Sequence, residues 1–219
     1  MSEDQVLTDT SDMYAIHNAL RRALGDAPAQ ISVVSEGDTV RAKRVADYLE
    51  EVLWLLHAHH DGEDALLYPL LEERAPEHKE LFARMSAQHG SVSASMASAG
   101  AAVKRFGGSA SRADSQAGAA ACASLFTITD EHLSEEEKEI LPIAARTVSP
   151  QEWGALPAHA LSHYQGDRLW LPFGLALEAM PNEMRENLLG HLPPPVYGMW
   201  TGGGSEAFTN EMAYIRGAA

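Results

Sequence analysis

The chain has 219 residues, enough to bury a sizeable core, and its 45% apolar and 21% charged residues are the balance of a globular protein. Its 16 Lys and Arg stand against 31 Asp and Glu, a net charge of −15 that repels phosphate backbones and anionic lipid, so neither nucleic acid nor a membrane is an expected partner. The start "MSEDQVLTDTSDMY" has neither the basic residues nor the apolar stretch of a secretory leader, and the lone Cys122 excludes a disulfide framework, so a cytoplasmic location is expected.

Alanine and leucine are abundant and β-branched alternation is scarce, so the chain reads as all-α. A first helix is expected from about Ser11 to Gly25, with Met13, Ile16, Leu20 and Leu24 at helical spacing. "DAPAQISVVSEGD" then reads as a loop. The second helix begins near Thr39, carries Val45, Leu49, Val52, Leu55 and Leu56, and ends at or before Pro76. A third runs from about Glu77 to Phe106, and "GGSASRADS" breaks it. The fourth runs from about Asp114 to Arg146. Four long helices with short polar connections are the pattern of an antiparallel bundle. "SPQEW" has the form of a capped start for a fifth helix, which would carry His159 and His163. The segment from Leu169 onward, with five prolines and two tryptophans, reads as short helices laid across the bundle. Residues 10–146 therefore form the expected bundle and 147–219 a C-terminal extension packed on it.

Two stretches carry chemistry. "HHDGEDALLYP" and "HLSEEEKEILP" align on His59 and His132. Each has a glutamate four residues on (Glu63, Glu136), a further acid at the fifth position (Asp64, Glu137), and a proline at the tenth (Pro69, Pro142). Residues four apart share one helix face, so each His–Glu pair can point at one spot. Imidazole with carboxylate suits iron, zinc or manganese, whereas a calcium site would be all oxygen. His17 lies on the stripe of Met13, Leu20 and Leu24, and His89 on that of Met85, Val92 and Met96. A single histidine on an apolar face is usually a satisfied core residue, and a single acidic run is usually a solvated face. Four imidazoles and two carboxylates buried together are another matter, because without a cation their burial is very costly.

Other histidines are set aside. His57 and His60 are rotated from His59 by about 200° and 100°, so both are expected to flank the site. His78 and His191 read as surface and loop residues. Asp64 and Glu137 are placed to orient a ligand imidazole, with a solvated face as the alternative. No phosphate-binding loop or nucleophile elbow is present: "TGGGS" lacks a following Lys, and "SHYQGD" and "ACAS" fit no elbow.

The doubled H-x-x-x-E motif, each copy followed by an acid and an L-F-P-like segment, resembles the haemerythrin-like (HHE cation-binding) family. The resemblance covers roughly residues 10–146, and His17 and His89 fall where that family places a histidine on its first and third helices. It implies a four-helix bundle holding two oxo- or hydroxo-bridged iron ions, with His17, His59, Glu63, His89, His132 and Glu136 as ligands. Dioxygen, peroxide or nitric oxide would be the small-molecule partner. Oxygen-carrying haemerythrins have two histidines four apart on the third helix, but here Met85 and Ser93 flank His89 at that spacing. One imidazole is missing unless the fifth helix supplies it through His163 or, second to it, His159; a solvated or capping role is the alternative for both. An absent ligand would leave an open coordination position and favour reactivity over carriage, hence an oxidoreductase. Trp170, Phe173, Tyr197 and Trp200 could then close a pocket for a small organic substrate, or else form a hydrophobic cover. Oxygen or nitric oxide binding, sensing or iron handling is the alternative function, and a zinc or structural site a third.

Overall fold

The computed structural model describes residues 7–164 and 166–217, and every regular element among them is helical. Helix α1 (Ser11–Ser32) is followed by α2 (Thr39–Gly62), which passes through a π-turn (Glu63–Leu67) into α3 (Tyr68–Arg74). After a 3₁₀ turn come the long helices α4 (Lys79–Ser109) and α5 (Arg112–Glu139), then the short α6 (Leu141–Thr147). The remainder is α7 (Pro150–Trp153), α8 (Ala155–Ser162), α9 (Trp170–Ala179), α10 (Asn182–Gly190), α11 (Pro194–Met199), a second π-turn (Trp200–Gly204) and α12 (Ser205–Ile215). No described helix is long and apolar enough to cross a membrane.

Local chemistry sets most of these boundaries. Asp38 caps α2 by accepting the Arg41 N–H, and Ser111 caps α5 by accepting that of Asp114. Helix α4 closes on Ala110, whose left-handed backbone (φ 48°) lets its N–H reach the Phe106 carbonyl. Ser149 and Glu152 form the reciprocal capping box that "SPQEW" suggests.

Two boundaries differ from expectation. Helix α1 does not stop at Gly25 but continues through Pro28 to Ser32. Proline costs a backbone hydrogen bond there, yet Ala27 and Ile31 are fully buried in the core, two turns beyond Leu20 and Leu24. Packing outweighs the local penalty. The fourth long helix does not run unbroken to Arg146; it pauses at Ile140, and Pro142 falls in the first turn of α6. On the matching segment Pro69 follows the π-turn. Each proline lacks the N–H that would continue the ladder, so both motif helices change geometry just past their glutamates.

Helix α5 packs against α1 and α4, α2 packs against α4, and α1 meets α2. Helices α2 and α4 approach so closely that a Cβ on Gly107 would come within 2.6 Å of the Ala46 Cβ. The apolar interior divides into two clusters. One contains Leu20, Leu24, Leu56, Val92, Leu125 and Leu133, and takes in Leu171, Leu175, Phe208 and Met212 from α9 and α12. The other contains Met13, Leu67, Tyr68, Phe82, Met85 and Ile140. Glu211 of α12, almost fully buried, accepts from Arg44 of α2 at 2.6 Å and from Arg168, just before α9, at 2.8 Å, tying the C-terminal helices to α2.

Candidate metal centre

The interval between the two apolar clusters is polar. On each of the four long helices one residue of each cluster brackets a histidine: Met13 and Leu20 bracket His17, and Met85 and Val92 bracket His89. Leu56 and Leu67 bracket His59, His60 and Glu63, while Leu125 and Ile140 bracket His132 and Glu136. The polar layer thus follows from a common register of four helices. Glu63 and Glu136 are buried to 1% and 0% exposure, and His17 and His132 to 0% and 1%.

These side chains form two groups that share Glu63. His60, Glu63, His89 and His132 offer donor atoms within 4.8 Å of one another, and so do His17, His59, Glu63 and Glu136. Each carboxylate faces one imidazole from either group. Glu63 lies 3.4 Å from His59 Nε2 and 3.6 Å from His89 Nε2; Glu136 lies 3.5 Å from His17 Nε2 and 3.8 Å from His132 Nε2. Such separations are too long for good hydrogen bonds. They approach the spacing of two ligands that each sit about 2.1 Å from one metal ion.

The unpaired atoms point the same way. Among the described residues, 13 buried side-chain nitrogen or oxygen atoms have no hydrogen-bond partner. Nine of them are the Nε2 atoms of His17, His59, His60, His89 and His132 and both oxygens of Glu63 and Glu136. Buried polar atoms are rarely left this way, so a cluster of nine marks a place for a cation. Three of the imidazoles are oriented through Nδ1. Glu137 accepts from His17 at 2.9 Å, Asp64 accepts from His89 at 2.8 Å, and the Gln88 carbonyl accepts from His132 at 3.0 Å. Each acceptor turns the ring so that Nε2 faces inward.

Electrostatics favours neutral imidazoles. Burial, reinforced by the neighbouring rings, holds His59 and His60 well below the usual histidine range and brings His132 down to about 3. Burial, and next the facing Glu136, pushes Glu63 well above the carboxylate range. Burial would also raise Glu137, but its bonds from His17 and Arg21 bring it down to about 2. The Tyr68 hydroxyl is raised by burial and then by Glu136 and Glu63, and it has no hydrogen-bond partner. Its ring meets that of His89 edge-on at 5.5 Å.

The structure brings together His17, His59, Glu63, His89, His132 and Glu136, with Asp64 and Glu137 behind two of the rings. It departs from the sequence reading at three points. His60 does not flank the cluster but belongs to it, 6% exposed. A helix sealed on several sides buries an arc wider than 100°, and His60, three residues before Glu63, shares that residue's face. That spacing was the available signal. His163 and His159 do not reach in: His163 is exposed and groups with His159 and Asp61 in a separate cluster. The aromatics of the extension do not roof the cluster. Trp200 packs against Phe173 and Phe208, and Tyr197 is 51% exposed. Gln88 belongs to no motif and carried no sequence signal, while Tyr68 sits inside "HHDGEDALLYP", directly before Pro69, where nothing in the pattern marked it as functional.

A helical protein with an inward layer of five imidazoles and two carboxylates is of the metal-binding class. The hemerythrin HHE cation binding domain matches residues 8–144, well over half of the chain, and the protein belongs to that family. No curated protein and no solved structure gives a match.

Proposed function

We propose that the protein is a non-haem di-iron protein, built on an antiparallel four-helix bundle of α1, α2, α4 and α5, that binds dioxygen, peroxide or nitric oxide. The ring of pairings among those four helices and their short connections support the bundle, with the segment 147–219 as its cover. The observation that carries the metal reading is the set of nine buried, unpaired donor atoms, divided three imidazoles to two. His60, His89 and His132 would hold one ion and His17 and His59 the other, with Glu63 and Glu136 bridging. Two irons so held would supply electrons to an oxygen- or nitrogen-based ligand. The His17–His59 group offers one imidazole fewer than the other, so the small molecule would enter on that side.

On this reading His60 would supply the fifth imidazole, and the case for an enzyme does not rest on a missing ligand. A second reading, an oxidoreductase, is favoured by Tyr68. Its unpaired hydroxyl is buried beside both glutamates and, kept protonated there, can hydrogen-bond an anionic ligand at that point. Metal analysis with visible spectra before and after peroxide tests both readings. Two irons per chain with bands that switch reversibly support binding; bands that recover while peroxide disappears support turnover. Zinc, or no metal in protein expressed with ample iron, would overturn both.

A further inference from the structure

A second group of metal-binding side chains lies outside the inner layer. His159 near the end of α8, His163 just after it and Asp61 of α2 offer one donor atom each within 4.8 Å of one another. His159 Nε2 already meets Asp61 Oδ2 at 2.9 Å, and the two imidazole rings lie 4.5 Å apart. The His163 Nδ1–H donates to the His159 carbonyl at 3.0 Å, which leaves Nε2 as the free lone pair. This is the arrangement in which a backbone carbonyl orients a ligand histidine. Ligands about 2.1 Å from one ion sit about 3–3.5 Å apart, so small side-chain rotations suffice to enclose one.

Asp61 and His163 line a cleft of about 690 Å³ between α2 and the segment that follows α8, and His159 is tied to it through its contact with Asp61. Asp47, Glu50, Glu51 and Asp61 line it against the single guanidinium of Arg168, so the cleft draws cations. His57, on the same helix face as Asp61 and one turn before it, is at its wall and is available as a further donor.

We propose that Asp61, His159 and His163 form a separate surface site for a divalent first-row transition metal, three protein ligands with an open position towards the cleft. Two imidazoles with one carboxylate select zinc, iron, cobalt or manganese over magnesium or calcium. The site is independent of which ion fills the inner layer.

Cobalt(II) is the probe. Protein as purified, its inner metal first quantified by elemental analysis, is titrated with cobalt and followed by visible absorption and calorimetry. One additional cobalt per chain is expected. His163→Ala, at an exposed position, should weaken that binding by at least about tenfold, and H159A/H163A should abolish it while the inner metal and the melting temperature stay unchanged. No cobalt beyond the inner metal in the wild type, or equal uptake by the double variant, would overturn the proposal. So would loss of inner metal in a folded double variant, since the histidines would then serve the inner layer.

Discussion

His60 of α2 lies stacked on His89 of α4, with ring centroids 4.4 Å apart and planes 24° from parallel. Two imidazoles brought this close, both with Nε2 buried and unpaired, complete a three-histidine group with His132. If two ions fill the layer as proposed, His60→Ala should release one and leave the other. His57→Ala, whose side chain lines the outer cleft, should release neither from the inner layer. Elemental analysis of both folded variants decides this; unchanged inner metal in the His60 variant would remove that residue from the ligand set.

Glu137 holds the His17 ring from behind and is itself held by Arg21 Nη1 at 2.5 Å. Glu137→Gln keeps the shape but surrenders the charge that would make His17 a stronger ligand in the proposed metal site. Metal affinity on that side should fall about 10- to 100-fold while the fold persists. Competition with a coloured chelator measures the change, and Arg21→Met should give a smaller loss in the same direction.

How much of this was legible in the sequence depends on which physical rule was in control. The four long helices and the convergence of six buried His and Glu side chains followed from periodicity and from the doubled motif, because one register of four helices puts His17, His59, His89 and His132 at one level. The continuation of α1 past Pro28 was not legible: its cause is the burial of Ala27 and Ile31 by other helices, a tertiary effect. His60 was set aside because a narrow helix stripe was assumed, whereas α2 is enclosed by α4, α1 and α8. His163 failed for the opposite reason. The single fifth helix expected to carry it divides into α7 and α8, and His163, just past α8, stands with His159 at the Asp61 edge of α2 and not towards Glu63.

Tyr68 carries a buried hydroxyl with no partner. In metal-free protein Tyr68→Phe removes an unsatisfied group, so its stability should be unchanged or rise by up to about 1–3 kcal/mol. In the loaded protein the same change should leave the iron content intact and alter the response to peroxide. Chemical denaturation of both forms, paired with stopped-flow spectra, separates these effects; a large loss of metal-free stability would show that the hydroxyl has a partner after all.

Gly174 sets the approach of α9 to α12, since a Cβ there would stand 2.3 Å from the Phe208 ring. Gly174→Ala should destabilise the protein by about 1–3 kcal/mol through overpacking. Gly190→Ala, with open space around it, should be neutral or slightly stabilising. Matching losses in the two variants would mean that α9 and α12 can separate freely.

The imidazoles give the metal-free protein a characteristic pH dependence. His132 is lowered to about 3, and His59 and His60 lie well below their ordinary value, so the unfolded chain binds more protons than the folded one between those values and about 6.5. Stability from these three groups is complete above about pH 6.5 and is lost as the pH falls through that window. Glu63 acts in the other direction, because its raised folded-state value stabilises the protein at low pH and ceases to do so as the pH rises through that value. Three groups outweigh one, so the melting temperature of chelator-treated protein should fall between pH 7 and pH 5. Loaded protein should hold its melting temperature until protons displace the metal and then follow the metal-free curve. A metal-free melting temperature that rises on acidification over this range would show that Glu63 governs the layer and that the histidines do not.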